Sequence, residues 1–409
     1  MTRIKKFGGS SLATKERIKN VARQIVDTYK SGHSVVVVVS ARGKTTNNLI
    51  EQAADINPNC AKRELDMLLV TGEQQSCALM AMAIHSLGCP AISLNAAQAG
   101  IISSGSFGNA RIKTINTDRI KQELEKKNIV IITGFQGVTK NGEIATLGRG
   151  GSDTTAVAVA AALGVGTCEI YTDVEGIYTA DPNIVPKAIK LKEISYDEML
   201  ELATLGAKVL HSRSVELAKK HNIKLWVGSG LTKKEGTLVK ESTMEKMLVS
   251  GLAMDKDISK ITVVGVKDVP GTAFKLFSSI AKKNIVVDLI IQAMGDGKKG
   301  LKDISFTVSK KDVKETIEAL TQNNGAFEYE DISYTNDFAK LSIVGAGIVS
   351  NPGVASAMFE ALYDVGVNIE VISTSEIKIS VLIAQEKAEI ASRSVHEKLM
   401  QLSLGNVYG

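Results

Sequence analysis

Five consecutive valines, Val35 to Val39, constrain the fold of this chain more than any other stretch. Successive side chains of a strand point to opposite faces, so an all-valine strand must be buried on both, as in a parallel sheet with helices packed on either side. Other β-branched runs lie at Ile129 to Thr133, Cys168 to Thr172 and Ile223 to Val227. They alternate with helical patterns, notably over Thr14 to Tyr29, Lys62 to Leu87 and Tyr196 to His221. This alternation predicts an α/β domain with a mainly parallel sheet over residues 1–230, its ligands bound at the carboxyl ends of the strands.

A polar, Gly-containing segment, Ser229 to Thr237, closes that region, and residues 231–245 read as a linker. Beyond it the sequence repeats itself. Lys260 to Val266 resembles Lys340 to Ala346, and each is followed by Pro-Gly (Pro270-Gly271, Pro352-Gly353) and a helix. Lys282 to Asp288 matches Asp364 to Glu370 as a strand leaving a helix; strands at Ile304 to Val308 and Ile377 to Ala384 come next, then helices from Asp312 and Glu386. The first copy adds a strand at Phe327 to Ser333, whereas the second ends soon after its helix. Met247 to Met254 can supply the missing strand, which interleaves the copies: the first occupies 260–335, the second 246–257 plus 338–409. A structure that placed Met247 to Met254 outside the second copy's sheet would refute this.

Composition narrows the function. At 409 residues, 44% hydrophobic and 23% charged, the chain is an ordinary globular sequence with room for several domains. Its net charge of +5 is spread over interleaved Lys and Glu, with short clusters such as Lys233-Lys234 and Lys298-Lys299, and only 4% of residues are aromatic. That argues against nucleic acid as a partner and suits a small acidic ligand. Cys60, Cys77, Cys89 and Cys168 show no CxxC spacing and the five histidines no HxxxH pair, so no metal site or disulfide framework is expected. Arg3, Lys5 and Lys6 lead into Gly8-Gly9-Ser10 rather than an apolar signal core, and no apolar run reaches membrane-spanning length; a reduced, cytoplasmic, soluble protein without a membrane partner is expected.

Two glycine turns carry the chemistry. Arg149-Gly150-Gly151-Ser152-Asp153-Thr154-Thr155 runs into the apolar helix Ala156 to Leu163. Its glycines permit close backbone approach, Ser152 or Asp153 can cap the helix, the free N–H groups attract an anion, and Arg149 offers a fork for a carboxylate or phosphate. An ordinary turn capping a core helix is the competing interpretation. Lys6-Phe7-Gly8-Gly9-Ser10-Ser11 follows the first short strand, where the glycines open backbone N–H groups to phosphate and Lys6 adds a point charge; a structural Gly-Gly turn competes equally. Two other motifs fail. Gly43-Lys44-Thr45 has Val38 where a phosphate-binding loop needs glycine, and Gly295-Asp296-Gly297-Lys298-Lys299-Gly300 precedes a strand rather than a helix, so it is read as a hairpin loop.

In Tyr171 to Pro182, Thr172 and Asp173 can hydrogen-bond a nucleotide and Tyr178 can stack on a base, against the alternative of a capped surface loop. Glu73 lies where the helical pattern can break and can receive an ammonium group. Lys208, among apolar neighbours, either reaches a phosphate or snorkels from a helix.

In order along the chain, KFGGSS from Lys6, LVTGEQQS from Leu69, Ala97-Gln98-Ala99-Gly100, ITGFQG from Ile132, TLGRGGSDTTAVA from Thr146, YTDVEGIYTADP from Tyr171 and AKVLHSRS from Ala207 resemble the motifs of the aspartate kinases. These are amino-acid-kinase-family enzymes that phosphorylate the side-chain carboxylate of L-aspartate. The resemblance spans the whole chain and implies a carbamate-kinase-like α/β domain followed by two ferredoxin-like βαββαβ ACT domains. It implies that ATP, with Mg2+ bridging its oxygens and no protein metal cage, serves as co-substrate to L-aspartate. By motif, Lys6 neutralises the transferring phosphoryl group, Gly8, Gly9 and Ser10 cradle phosphates, and Arg149 clamps the α-carboxylate, with Gly150 and Ser152 beside it. Thr46 and Glu73 orient aspartate, Asp153 is an active-site acid, and Thr172, Asp173, Tyr178, Asp181 and Lys208 hold ATP.

Three positions depart from the family pattern: Ser10 where threonine is common, Lys44 where an acidic residue is frequent, and Asn183 where arginine usually follows Asp-Pro. The ACT resemblance implies amino-acid effectors, lysine or threonine or both, bound near Asp268, Gly271, Ala273 and Gln292 in the first copy and Ser350, Asn351 and Glu370 in the second. It also implies a homodimer or larger assembly through these domains, and a place at the first step toward lysine, threonine and methionine by the diaminopimelate route. The alternatives are a kinase of the same fold for another acidic substrate, or an amino-acid sensor without catalysis.

Overall fold

The valine run is fully buried, hydrogen-bonded on both sides to parallel strands. The protein is described here by a computed structural model, which covers residues 1–207, 209–232, 234–241, 247–294, 300–322 and 325–405. It divides into two units, Met1–Thr179 with Ile189–Glu245, and Ala180–Ala188 with Lys246–Gly409.

In chain order the first unit contains β1 (Thr2–Phe7), α1 (Lys15–Lys30), β2 (Ser34–Val39), α2 (Thr45–Ile56), α3 (Lys62–His85), β3 (Ala91–Leu94), β4 (Ile101–Ser103), β5 (Ile112–Ile115), α4 (Asp118–Glu125) and β6 (Ile129–Thr133). It continues with β7 (Gln136–Val138), β8 (Ile144–Thr146), α5 (Gly151–Ala162), β9 (Thr167–Thr172), β10 (Glu193–Ser195), α6 (Tyr196–Thr204), α7 (Ser212–Lys220), β11 (Lys224–Ser229) and β12 (Thr237–Lys240). The main sheet has the order β10-β12-β11-β9-β1-β2-β6-β3. It is parallel except where β12 runs antiparallel to β11. Val35, Val37 and Val39 pack with Ile18, Val21 and Ile25 of α1 and Met80 and Ile84 of α3. On the opposite face α5 crosses β1, β2 and β9, buried from Gly151 to Ala160. A smaller sheet, β5-β4-β7-β8, completes the unit.

The second unit contains β13 (Gly251–Asp255), β14 (Ser259–Lys267), α8 (Thr272–Ala281), β15 (Ile290–Met294), β16 (Leu301–Val308), α9 (Val313–Gln322), β17 (Asp331–Thr335), β18 (Phe338–Val344), α10 (Gly353–Asp364), β19 (Ile369–Thr374), β20 (Lys378–Ala384) and α11 (Ala388–Gly405). One sheet runs β15-β16-β14-β17 and the other β19-β20-β18-β13. Thus β13, with Gly251 opposite Val344, takes beside β18 the place that β17 takes beside β14, and the copies interleave. Lys260 of the first copy pairs with Glu370 of the second, and the matching Lys340 of the second pairs with Asp288 of the first. Ile258, Leu289, Val371 and Leu382 form an apolar cluster between the copies.

Several local expectations give way. The stretch 231–245 carries the four-residue strand β12, so part of the expected linker is sheet. Residues Ala180–Ala188 leave the first unit because Ala180 and Val185 bury into the second copy's core and Ile184 O accepts from Arg393 Nε at 2.8 Å. The helix expected over Tyr196 to His221 breaks into α6 and α7 at Gly206, whose φ of 107° a helix cannot hold. Strands expected from Lys282 to Asp288 and from Phe327 begin only at Ile290 and Asp331, because the apolar Ile285 and Phe327 serve the core rather than a ladder. The hairpin loop expected at Gly295 to Gly300 lies, for 295–299, outside the described residues, although β15 and β16 flanking it pair antiparallel.

Candidate active site

The parallel strands β1 and β9 bring Lys6, the Gly8-Gly9 turn and Thr172 to one end of the main sheet. Lys6 leaves β1 on the α5 side, and its Nζ meets Asp153 Oδ1 of α5 at 2.6 Å as an ion pair. Both residues are 8% exposed, so neither charge is well hydrated and each depends on the other. Lys6 Nζ also curls over Gly8, 3.4 Å from where a Cβ there would stand. At Gly9 a Cβ would lie 2.4 Å from Ala41 O, so only glycine lets this turn approach the loop after β2. No backbone partner among the described residues receives the N–H groups of Gly9 and Ser10.

The Arg149 turn is built differently from the expected cap. Gly150, at φ 67°, is the N-cap of α5 and no side chain caps the helix; Ser152 and Asp153 lie inside its first turn. The Ser152 and Asp153 N–H groups have no backbone partner among the described residues. The positive end of a buried helix is therefore open. Arg149 is exposed beside it, with no ion-pair partner among the described residues. This concentration of unengaged donors suits an anionic group such as a carboxylate.

Glu73 is not at a helix break. It lies within the unbroken α3, 3% exposed, with Oε1 accepting from Ala41 N at 3.1 Å and Oε2 unpaired. Burial raises its carboxyl to about 7, against the lowering effect of the Ala41 hydrogen bond. An unpaired buried carboxylate oxygen is a natural receptor for an ammonium group. Thr46 sits half-buried in the first turn of α2, the helix that follows the same loop.

Thr172 ends β9 and its hydroxyl donates to Asp173 at 3.1 Å. Tyr178 is half-buried and bridges Lys190. Asp181 belongs to the second unit, where its Oδ1 accepts from both the backbone and side-chain nitrogens of Asn183 at 2.9 Å. Lys208 lies outside the described residues. His211 and Arg213 of the HSRS run, to which the sequence attaches no role, stand against the Arg149 turn.

In the first ACT-like copy a cavity of about 310 Å³ is lined by Asp268, Gly271, Ala273, Gln292 and Lys302 among others. Asp268 pairs with Lys302 at 2.9 Å, and Gly271, at φ 94°, opens α8 without a side-chain cap. In the second copy Ser350 is exposed, Asn351 donates its amide to Gly347 O at 2.8 Å, and Glu370 is engaged by Lys260. Among the described residues no group of three or more His, Cys, Asp or Glu is placed to hold a metal ion, and no helix is long and apolar enough to cross a membrane.

A parallel sheet with a lysine–carboxylate pair between a glycine turn and an open helix end defines a phosphotransferase for small acids. Residues 1–229 match the amino acid kinase family, and residues 261–323 and 341–399 match the ACT domain. The chain belongs to the aspartokinases, phosphotransferases with a carboxyl group as acceptor. It is 48% identical over 400 residues to the aspartokinase of Corynebacterium glutamicum, covering 97% of this chain and 95% of that one. It is likewise 48% identical over 396 residues to that of Geobacillus stearothermophilus, covering 96% of each. The crystal structure of E. coli aspartokinase III in complex with aspartate and ADP matches at a TM-score of 0.82 with 25% identity, over 98% of this chain and 100% of that one.

Proposed function

We propose that this chain transfers the γ-phosphoryl group of MgATP to the side-chain carboxylate of L-aspartate, giving 4-phospho-L-aspartate and ADP, and that amino-acid effectors bound at the ACT repeats restrain it. The observation that carries this is the Lys6–Asp153 pair lying between the Gly8-Gly9 turn and the uncapped start of α5. Phosphoryl transfer asks for positioning and charge neutralisation more than covalent chemistry. Lys6 follows the charge on the phosphoryl group while Asp153 holds its ammonium in place. The open N–H groups of Gly9 and Ser10 take phosphate oxygens, and Arg149 with the start of α5 takes the α-carboxylate. Glu73 and Thr46 receive the amino group and orient the side chain. Thr172, Asp173 and Tyr178 hold the nucleotide, and Mg2+ arrives on its oxygens. The E. coli enzyme's complex with aspartate and ADP supports this choice of substrates.

The cavity of the first ACT copy suits an amino-acid zwitterion, its carboxylate toward the start of α8 and its ammonium toward Asp268 and Gln292. Lysine, threonine or both are the proposed effectors, consistent with a place at the first step of their synthesis. ADP release measured with aspartate, glutamate, N-acetylglutamate and a nucleoside monophosphate is the deciding assay. Turnover with aspartate alone is expected; a better acid would overturn the assignment. Lysine and threonine, added separately and together, identify the effector.

A further inference from the structure

The Arg149 turn is closed by a single internal hydrogen bond, Gly151 N donating to Gly148 O at 3.0 Å. Gly148 and Gly150 flank Arg149 at φ 77° and 67°, and no side chain caps α5. Arg149 makes no ion pair or hydrogen bond with another described residue, so the turn's backbone is what fixes the point from which its side chain reaches. The first turn of α7 supplies the missing support on both sides. Arg213 donates through Nη1 to Leu147 O at 2.6 Å and through Nη2 to Ala110 O at 2.6 Å. The Ala110 segment is itself tied to β8 by Ala110 N donating to Thr146 O at 2.8 Å. On the other side the imidazole of His211 fills the space beside Gly150, where an added Cβ would lie 2.2 Å from His211 Cβ and 2.5 Å from Cγ.

Arg213 spends its guanidinium on two neutral carbonyls, with no ion-paired carboxylate among the described residues. Burial lowers its pKa and nearby Arg111 adds to that, against the opposing charge of Glu216. Two charge-assisted bonds offset the desolvation and fix the direction of both carbonyls. We propose that Arg213 and His211 are positioning residues for aspartate: together they brace the Gly148–Gly150 turn so that Arg149 is preorganised for the substrate carboxylate. This rests on Arg149 being the carboxylate clamp, and it adds a dependence of that clamp on α7. Preorganisation of this kind appears as substrate affinity, because a loose clamp must be ordered on binding.

The test is steady-state kinetics on the full chain for Arg213→Ala, Arg213→Lys, His211→Ala, Arg149→Ala and Arg149→Ala/Arg213→Ala, with thermal melting of each. Arg213→Ala is expected to raise the aspartate KM about tenfold or more and to leave the ATP KM within about threefold. Arg213→Lys, able to reach one carbonyl, is expected to recover only part of that loss, and His211→Ala to raise the aspartate KM in the same sense. In the Arg149→Ala background, Arg213→Ala should change the aspartate KM by less than about twofold, because the two act through one group. Equal effects in both backgrounds, or a parallel rise in the ATP KM, would overturn the brace. So would an unchanged aspartate KM in Arg213→Ala when Arg149→Ala raises it. If Arg149→Ala itself leaves the aspartate KM unmoved, the clamp assignment falls and the brace with it. Should Arg213→Ala fail to fold, Arg213→Lys and His211→Ala carry the same comparison.

Discussion

Lys6 Nζ and Asp153 Oδ1 stand 2.6 Å apart, joining the end of the first strand to the first turn of α5 across 147 residues of sequence. Each is 8% exposed, so the pair is held in a site with little water. An ammonium carries three N–H donors, so Lys6 can pair with Asp153 and still offer protons to an incoming phosphate.

Lys6→Ala is expected to lower kcat about a hundredfold or more while moving the aspartate KM little, since it acts on charge that develops during transfer. Asp153→Ala leaves a buried ammonium without its counter-charge and is expected to cost about 3 kcal/mol of stability as well as activity. Kinetics paired with denaturant unfolding separate the two; a Lys6→Ala enzyme with undiminished kcat would remove Lys6 from the mechanism.

Glu73 predicts a pH dependence. Its carboxyl titrates near 4.5 in the unfolded chain and at about 7 when folded, so between those values the folded protein keeps a proton that the unfolded chain has lost. Stability contributed at this site therefore falls as pH rises from 4.5 to 7, by roughly 3 kcal/mol in all. Glu73→Gln is expected to match the parent near pH 4.5 and to exceed it by that amount at pH 8. With ionised Glu73 proposed to accept the substrate ammonium, the parent's aspartate KM is expected to rise as pH drops below 7, and that of the glutamine variant to be high and flat. The same slope in both proteins would assign the pH dependence elsewhere.

The two ion pairs between the ACT copies differ in burial. Lys340 is 4% exposed at its side chain and Lys260 is 20% exposed, although duplication makes them equivalent. Lys340→Ala is expected to cost the second unit about 2 kcal/mol, and Lys260→Ala under about 1 kcal/mol, because the change at Lys340 also removes a buried aliphatic stem. Urea unfolding of both variants, followed by a probe in the second unit, measures the difference; equal losses would show that burial does not set it.

The glycine turn separates space from flexibility. At Gly8 a Cβ would make only ordinary contacts, 3.4 Å from Lys6 Nζ and 3.5 Å from Tyr171 O, whereas at Gly9 it would strike Ala41 O. Gly8→Ala should fold with reduced kcat. Gly9→Ala should push the Ala41 loop away, weaken the Ala41 N–Glu73 hydrogen bond and raise the aspartate KM, which kinetics with both substrates can resolve.

The valine run, the strand alternation and the internal repeat could be read from the chain because burial on both faces and duplication leave marks in residue order. So could Lys6, Arg149 and Asp153, whose glycine-flanked settings are local. The place of Met247 to Met254 followed from the missing strand of the second copy, and Gly251–Asp255 does pair with β18. Sequence alone determined the central strands, the internal repeat and the glycine turns, because periodicity, glycine freedom and charge are properties of neighbouring residues. Only the tertiary structure decided what those groups face. It put Gly150 rather than Ser152 or Asp153 at the cap, kept Glu73 inside an unbroken helix, gave Asp181 to the second unit, and set His211 and Arg213 against the Arg149 turn. Each depends on contacts between segments distant in sequence, where burial and close packing outweigh local preference, and no local pattern records them.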